Sequence, residues 1–203
     1  MRRAVPLLLS LSALLTLGCQ ATTRPALKAL DRSVVLGGQS VEAAALCSNG
    51  GCRGAKRVRF ELGRGETVER PQPEVPYVHG GEVYVLPGDT FTVTGDLQGD
   101  RLVNLRKVAD GEKPANRVTV RFGQSGDREN PLMVLLVEST LARNLSYQAT
   151  VVPLGRPEHE PTSVCPVPAG AGTAEAWPFP IEALVMRELR LFDTTEQHAT
   201  ACR

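Results

Sequence analysis

The sequence predicts an all-β fold, an antiparallel sandwich formed by one domain. Three observations predict it. Short segments of alternating apolar and polar residues recur along the chain. Turn-forming residues separate them at short intervals. No long amphipathic helical pattern occurs before residue 180. Many short strands with regular turn signals are the mark of a sandwich or barrel.

The elements follow in order. "KRVRFEL" (56–62) alternates, with Val58, Phe60 and Leu62 on one face and charges on the other. "GETVERPQPEVPY" (65–77) is rich in proline and reads as a loop or an extended edge. "EVYVL" (82–86), the turn "PGD" (87–89) and "TFTVTGD" (90–96) read as strand, turn and strand. "GDLQGD" (95–100) reads as a second turn, ahead of the strand "RLVNLRKV" (101–108). "RVTVRF" (117–122) alternates again, and "PLMVLLVES" (131–139), the most apolar run, reads as a central strand. "SYQATVV" (146–152) and "TSVCPV" (162–167) are the next two candidates. A C-terminal extension runs from about residue 154 to 203, with a Pro/Gly/Ala-rich excursion from residue 166. Its last segment, "IEALVMRELRLF" (181–192), fits a strand or a three-turn helix. The Pro-x-Pro lead-in and the alternation of Leu189 and Leu191 around Arg190 favour the strand.

In "LARNLSY", Leu141 stands six residues before Tyr147, between two of these strands. The motif resembles the tyrosine corner of immunoglobulin-like and fibronectin type III sandwiches. The resemblance implies an immunoglobulin-like β-sandwich with 131–138 as strand E and 147–152 as strand F. It also implies a tyrosine hydroxyl bonded back to the chain near the start of the turn, with Leu141 filling the core beneath. The Cys…Trp…Cys pattern of antibody domains is absent, since Trp177 lies far too late.

Ahead of the domain, Arg2 and Arg3 precede an apolar stretch from Ala4 to Leu17. That stretch is shorter than the roughly 20 residues of a membrane span and has the proportions of a secretory leader. It ends in "LLTLGCQ" (14–20), which resembles the lipobox of bacterial lipoproteins. The resemblance implies a leader at 1–18, lipidation of Cys19, and a membrane anchor. Gln20, where an Asp would imply retention at the inner membrane, points to the outer membrane and its periplasmic face. Residues 20–32 then serve as a tether of at most about 45 Å, and 33–203 as the folded domain.

Cys47, Cys52, Cys165 and Cys202 remain, an even number in an exported chain, and read as structural disulfides rather than a zinc or redox site. "CSNGGC" contains the turn pair Asn49-Gly50, so Cys47–Cys52 is the first pairing and Cys165–Cys202 the second. Charge is balanced, with 23 Lys and Arg against 22 Asp and Glu, which gives no reason to expect nucleic acid as a partner.

Signs of chemistry are few. "GQSGD" (123–127) misses the G-x-S-x-G pattern, and "LGGQS" (36–40) opens no helix that would cradle phosphate. Asp96 and Asp100 fit turn chemistry better than a calcium loop. His79, His159 and His198 all stand in loop-like contexts. Trp177 and Phe179, in "AWPFPI" (176–181), either present aromatics to a peptide or glycan or cover an end of the sandwich. The expectation is a non-enzymatic lipoprotein, without metal or cofactor, that binds or helps to assemble an envelope protein partner. Two rivals stand beside it. One is a metal-dependent enzyme using His159 with Glu158 and Glu160, and the other is a carrier of a hydrophobic ligand between the sheets.

Overall fold

Two-residue alternation becomes strands along the body of the chain. The computed structural model describes residues 33–36, 39–42, 47 and 51–193, all within one unit spanning Arg32–Arg203. Its strands are β1 (Ser33–Leu36), β2 (Gln39–Glu42), β3 (Cys52–Arg53), β4 (Lys56–Gly63), β5 (Glu66–Gln72), β6 (Val75–Pro76), β7 (Val78–His79) and β8 (Glu82–Val85). There follow β9 (Asp89–Gln98), β10 (Arg101–Lys107), β11 (Arg117–Gly126), β12 (Pro131–Ser139), β13 (Asn144–Pro153), β14 (Glu160–Thr162), β15 (Gly172–Trp177) and β16 (Ile181–Phe192).

β12 shows how the layers arise. Met133, Leu135 and Val137 are fully buried, while Leu132 and Leu136 face outward. That is the period of a strand with one face on a core. β11 pairs with it antiparallel, β9 lies beyond β11, and β15 lies on the far side of β12. These four strands form one layer. The other is centred on β16, with β13 on one edge and β8 on the opposite edge; β14 continues beyond β13, and β7 beyond β8. β10, the hairpin partner of β9, reaches β16 through Arg101↔Arg190, so the two layers are continuous at that end. Between them, Val118, Phe122 and Met133 of the first layer share a core with Leu145, Leu184 and Met186 of the second. The hairpin β4–β5 stands apart from the main sheet but sends Phe60 fully buried into this core.

The all-β sandwich is therefore the observed architecture, while the correspondence of β12 with strand E does not extend to its neighbours. Strand E of that family lies between B and D. β12, the counterpart of E, lies between β11 and β15, and β15 comes later in the chain.

Several local expectations change. β8 and β9 do not pair, because the turn at Pro87-Gly88-Asp89 carries the chain from one layer to the other. "GDLQGD" is mostly strand, and only Gly99-Asp100 turn. Gly95 is there because the backbone of β10 comes too close for a side chain: a Cβ would lie 2.4 Å from the Val103 carbonyl oxygen. Of the two readings of the proline-rich stretch, loop or extended edge, the second holds for Glu66–Gln72, which forms β5. Leu62 faces solvent because the ladder shifts between Glu61 and Gly63. "TSVCPV" contributes only Thr162 to a strand, plus one bridge from Val167 to Leu145.

β16 resolves the ambiguous segment as a strand with a bulge. Opposite Ser146 and Gln148 of β13 stand Arg190 and Arg187, so β16 carries one extra residue there, and Glu188 takes φ 51°. The extra residue shifts the buried series from Leu184 and Met186 to Leu189 and Leu191. Spacings of two, then three, imitate a helical period.

Candidate functional site

The cysteines act as braces. Cys47 and Cys52 are bonded to each other, with their Cα atoms 5.2 Å apart. Cys165 is also in a disulfide; Cys202, its expected partner, lies outside the described residues, as do Cys19 and His198.

Tyr147 is buried on β13 and Leu141 fills the core beneath the corner. The bond that defines a tyrosine corner is missing, since the Tyr147 hydroxyl has no hydrogen-bond partner among the described residues. Burial first, and then the Glu175 charge, raise its pKa.

The two aromatics of "AWPFPI" part company. Trp177 ends β15, 7% exposed, edge-on to Phe122 at 6.4 Å, with its Nε1 donating to Thr162 Oγ1 at 2.8 Å. It is core and not a binding surface. Phe179, just past the strand, is 38% exposed.

Next to the first disulfide, Arg53 forms a clasp that the sequence did not reveal. Its guanidinium lies 2.9 Å from Asp89, donates to the carbonyls of Pro76 and Tyr84, and sits 4.2 Å from the Tyr77 ring centre. Asp89 also accepts from Lys56 and from the Leu86 backbone N–H. Desolvation lowers the Arg53 pKa and the Asp89 charge opposes it. The two terminal guanidinium nitrogens and both carboxylate oxygens are committed to neighbours, and Arg53 Nε is buried without a partner among the described residues; the clasp ties β3 to the sandwich.

A second polar group lies around Arg187 on β16. Arg187 donates to Thr150 on β13, and Tyr84 on β8 donates to Glu82. His159 joins them: desolvation, then the Arg187 charge, lower its pKa against the opposing pull of Glu82. His159 does not gather its neighbours into a metal site. Glu160 is tied to Arg156, and among the described residues no three His, Cys, Asp or Glu side chains converge to hold a metal. Asp96 is engaged by Asn104 instead of by Asp100.

A groove lies beside β4. It has a volume of about 480 Å³ and lies between Lys56–Phe60 on one side and Pro87, Gly88, Gly123 and Gln124 on the other. Parity shows which main-chain groups line it. The side-chain amide of Gln124 accepts from Glu61 N–H and donates to Glu61 C=O, both at 2.8 Å. Those groups therefore point away from β5. Arg57 and Arg59 share the parity of Glu61, so theirs point away too. Pro71 stands opposite Arg57, where a missing N–H loses nothing. Opposite, β11 runs on past Phe122, the last of its residues to pair with β9. The groove thus opens between two strand edges. Sequence reading found β4 but not its free edge, which depends on Gln124, 63 residues away.

No family model matches the chain, and neither a curated protein nor a solved structure matches it.

Proposed function

We propose that this chain is a non-enzymatic lipoprotein, anchored in the outer membrane through Cys19, whose β-sandwich binds or helps to assemble an envelope protein in the periplasm. The observation that carries the reading is the junction Gly18-Cys19, placed where an apolar leader stops. A lipidated cysteine with several acyl chains holds a protein on a bilayer stably, because each buried methylene contributes about 0.8 kcal/mol. The tether at 20–32 then keeps the body near that surface.

Two structural facts support binding over catalysis. Most buried polar atoms of the Arg53 clasp bond to one another, and of its guanidinium nitrogens Nε alone lacks a partner among the described residues. The histidine with the best claim to chemistry, His159, lies within reach of the Arg187 and Glu82 charges, and among the described residues no three His, Cys, Asp or Glu side chains converge to hold a metal.

The experiment is metabolic labelling with a palmitate analogue, followed by detergent phase partition. Wild-type protein is expected to carry label and enter the detergent phase, and Cys19→Ala to do neither. Equal labelling of the two would overturn the anchor. A crosslinking pull-down from intact cells then tests the partner: capture of one envelope protein by the anchored form, and not by Cys19→Ala, is the expected result.

A further inference from the structure

We infer that the groove beside β4 is a docking site for an extended peptide, which adds as a strand to the edge at Arg57 and Arg59. This rests on the binding-module reading and names the surface and the chemistry of the partner.

The molecule already contains a small version of the contact. The Gln124 side chain is a primary amide, and it meets Glu61 as a neighbouring strand would, accepting from N–H and donating to C=O. Two residues back, Arg59 presents the same pair of groups to the groove with no such amide opposite among the described residues, and Arg57 repeats it. A peptide main chain supplies amides at that repeat, whereas a small ligand does not. Strand addition of this kind takes its affinity from main-chain bonds and its selectivity from alternate side chains.

The far wall leaves room for it. Gly88 and Gly123 face the groove without side chains; a Cβ placed on Gly123 would meet nothing nearer than the Gly88 nitrogen at 3.7 Å, while the Gly88 end is shared with the Lys56 ammonium, which reaches across to Asp89 and would stand 3.6 Å from a Cβ there.

The side chains of β4 set the preference. Arg57 and Arg59 point to the outer face, with side chains 71% and 59% exposed, in ion pairs with Glu69 and Glu61. Pairs so exposed are weak and screened, so either guanidinium can take another carboxylate. On the inner face, Val58 packs against the core and Phe60 is buried in it. A strand docked here would place one side chain beside Arg59 on the outer face, and its neighbours along the inner, apolar side. The partner is therefore an extended segment with an Asp or Glu flanked by apolar residues. A second copy of β4 is disfavoured, because an antiparallel pair would set its Arg57 and Arg59 against the same arginines.

The test uses the full-length protein in detergent and a displayed library of random short peptides. The expected consensus has an acidic residue between apolar ones. Selected peptides should shift the backbone amide signals of Arg57, Arg59, Gly88 and Gly123 in NMR spectra. Gly123→Val fills the groove at a position of ordinary φ, and should weaken binding at least about tenfold. Arg59→Glu, an exposed change, should turn the preference from acidic to basic. Failure to select any peptide, or peptides that bind Gly123→Val as well as wild type, would overturn the proposal. The assay needs no lipid. A failure here with palmitate labelling intact removes the edge and leaves the anchored module; the reverse removes the anchor alone.

Discussion

Arg53 and Asp89 form an ion pair 2.9 Å apart, and each side chain is only 5% exposed. The pair joins the segment after the first disulfide to the start of β9, so it holds β3 and the approach to β4 against the sandwich. Breaking a buried pair from one side leaves the other charge stranded, which costs about 3–5 kcal/mol. Arg53→Ala is expected to lower stability by that amount, read as a lower urea midpoint with an unchanged slope. Arg53→Met with Asp89→Asn should recover part of the loss.

The Cys47–Cys52 loop is short, so its bridge contributes modestly, roughly 2 kcal/mol in the chain-entropy model. Replacing both cysteines by serine should lower the urea midpoint by the equivalent of that figure. A loss several times larger would mean that the bridge also secures the Arg53 clasp.

Trp177 is the only tryptophan in the chain, and its ring is in the core. Intrinsic fluorescence should therefore be blue-shifted in the native protein and move to the red on unfolding. Trp177→Ala should cost about 3–5 kcal/mol, as large core truncations do. Phe179→Ala, at an exposed ring, should stay within about 1 kcal/mol.

At Gly95 a methyl group would collide with the Val103 carbonyl oxygen at 2.4 Å. The neighbour is backbone, so relief requires moving β10. Gly95→Ala should destabilise by about 1–3 kcal/mol, the usual range for overpacking. Gly99→Ala, with nothing within 4 Å but φ at 62°, should cost less and act through backbone strain alone.

His159 has a native pKa below its ordinary 6.5. The unfolded chain then takes up a proton first as pH falls. Stability should decline from about pH 6.5 downward until the native imidazole also titrates, and then level off. His159→Gln should flatten that part of a stability–pH profile. An unchanged slope would place the pH dependence elsewhere.

How much of this the sequence announced depended on the range of the interaction. Alternation marked β4 and β11, because burial of one face writes a two-residue period directly into the chain, and apolar content alone marked β12. The asparagine–glycine turn marked the first disulfide. Leu141 was readable as core, yet the Tyr147 hydroxyl has no partner among the described residues, since a short motif does not fix the path of the backbone it would bond to. Gly95 looked like a turn residue because close approach of a second strand has no local signature. The bulge at Glu188 blurred the period of β16. Arg53, Asp89 and Tyr84 come together from separate stretches, and the free edge of β4 is defined by Gln124. Neither site is written in any one segment.

The most direct measurement is photocrosslinking in intact cells, with a photoreactive residue at position 59 of the lipidated chain and a second copy carrying Cys19→Ala. An anchored binding module that works through its β4 edge predicts one defined adduct from position 59. That adduct should be lost when Gly123→Val is added and diminished when Cys19 is replaced. An adduct pattern indifferent to both changes, or none from position 59, would contradict it.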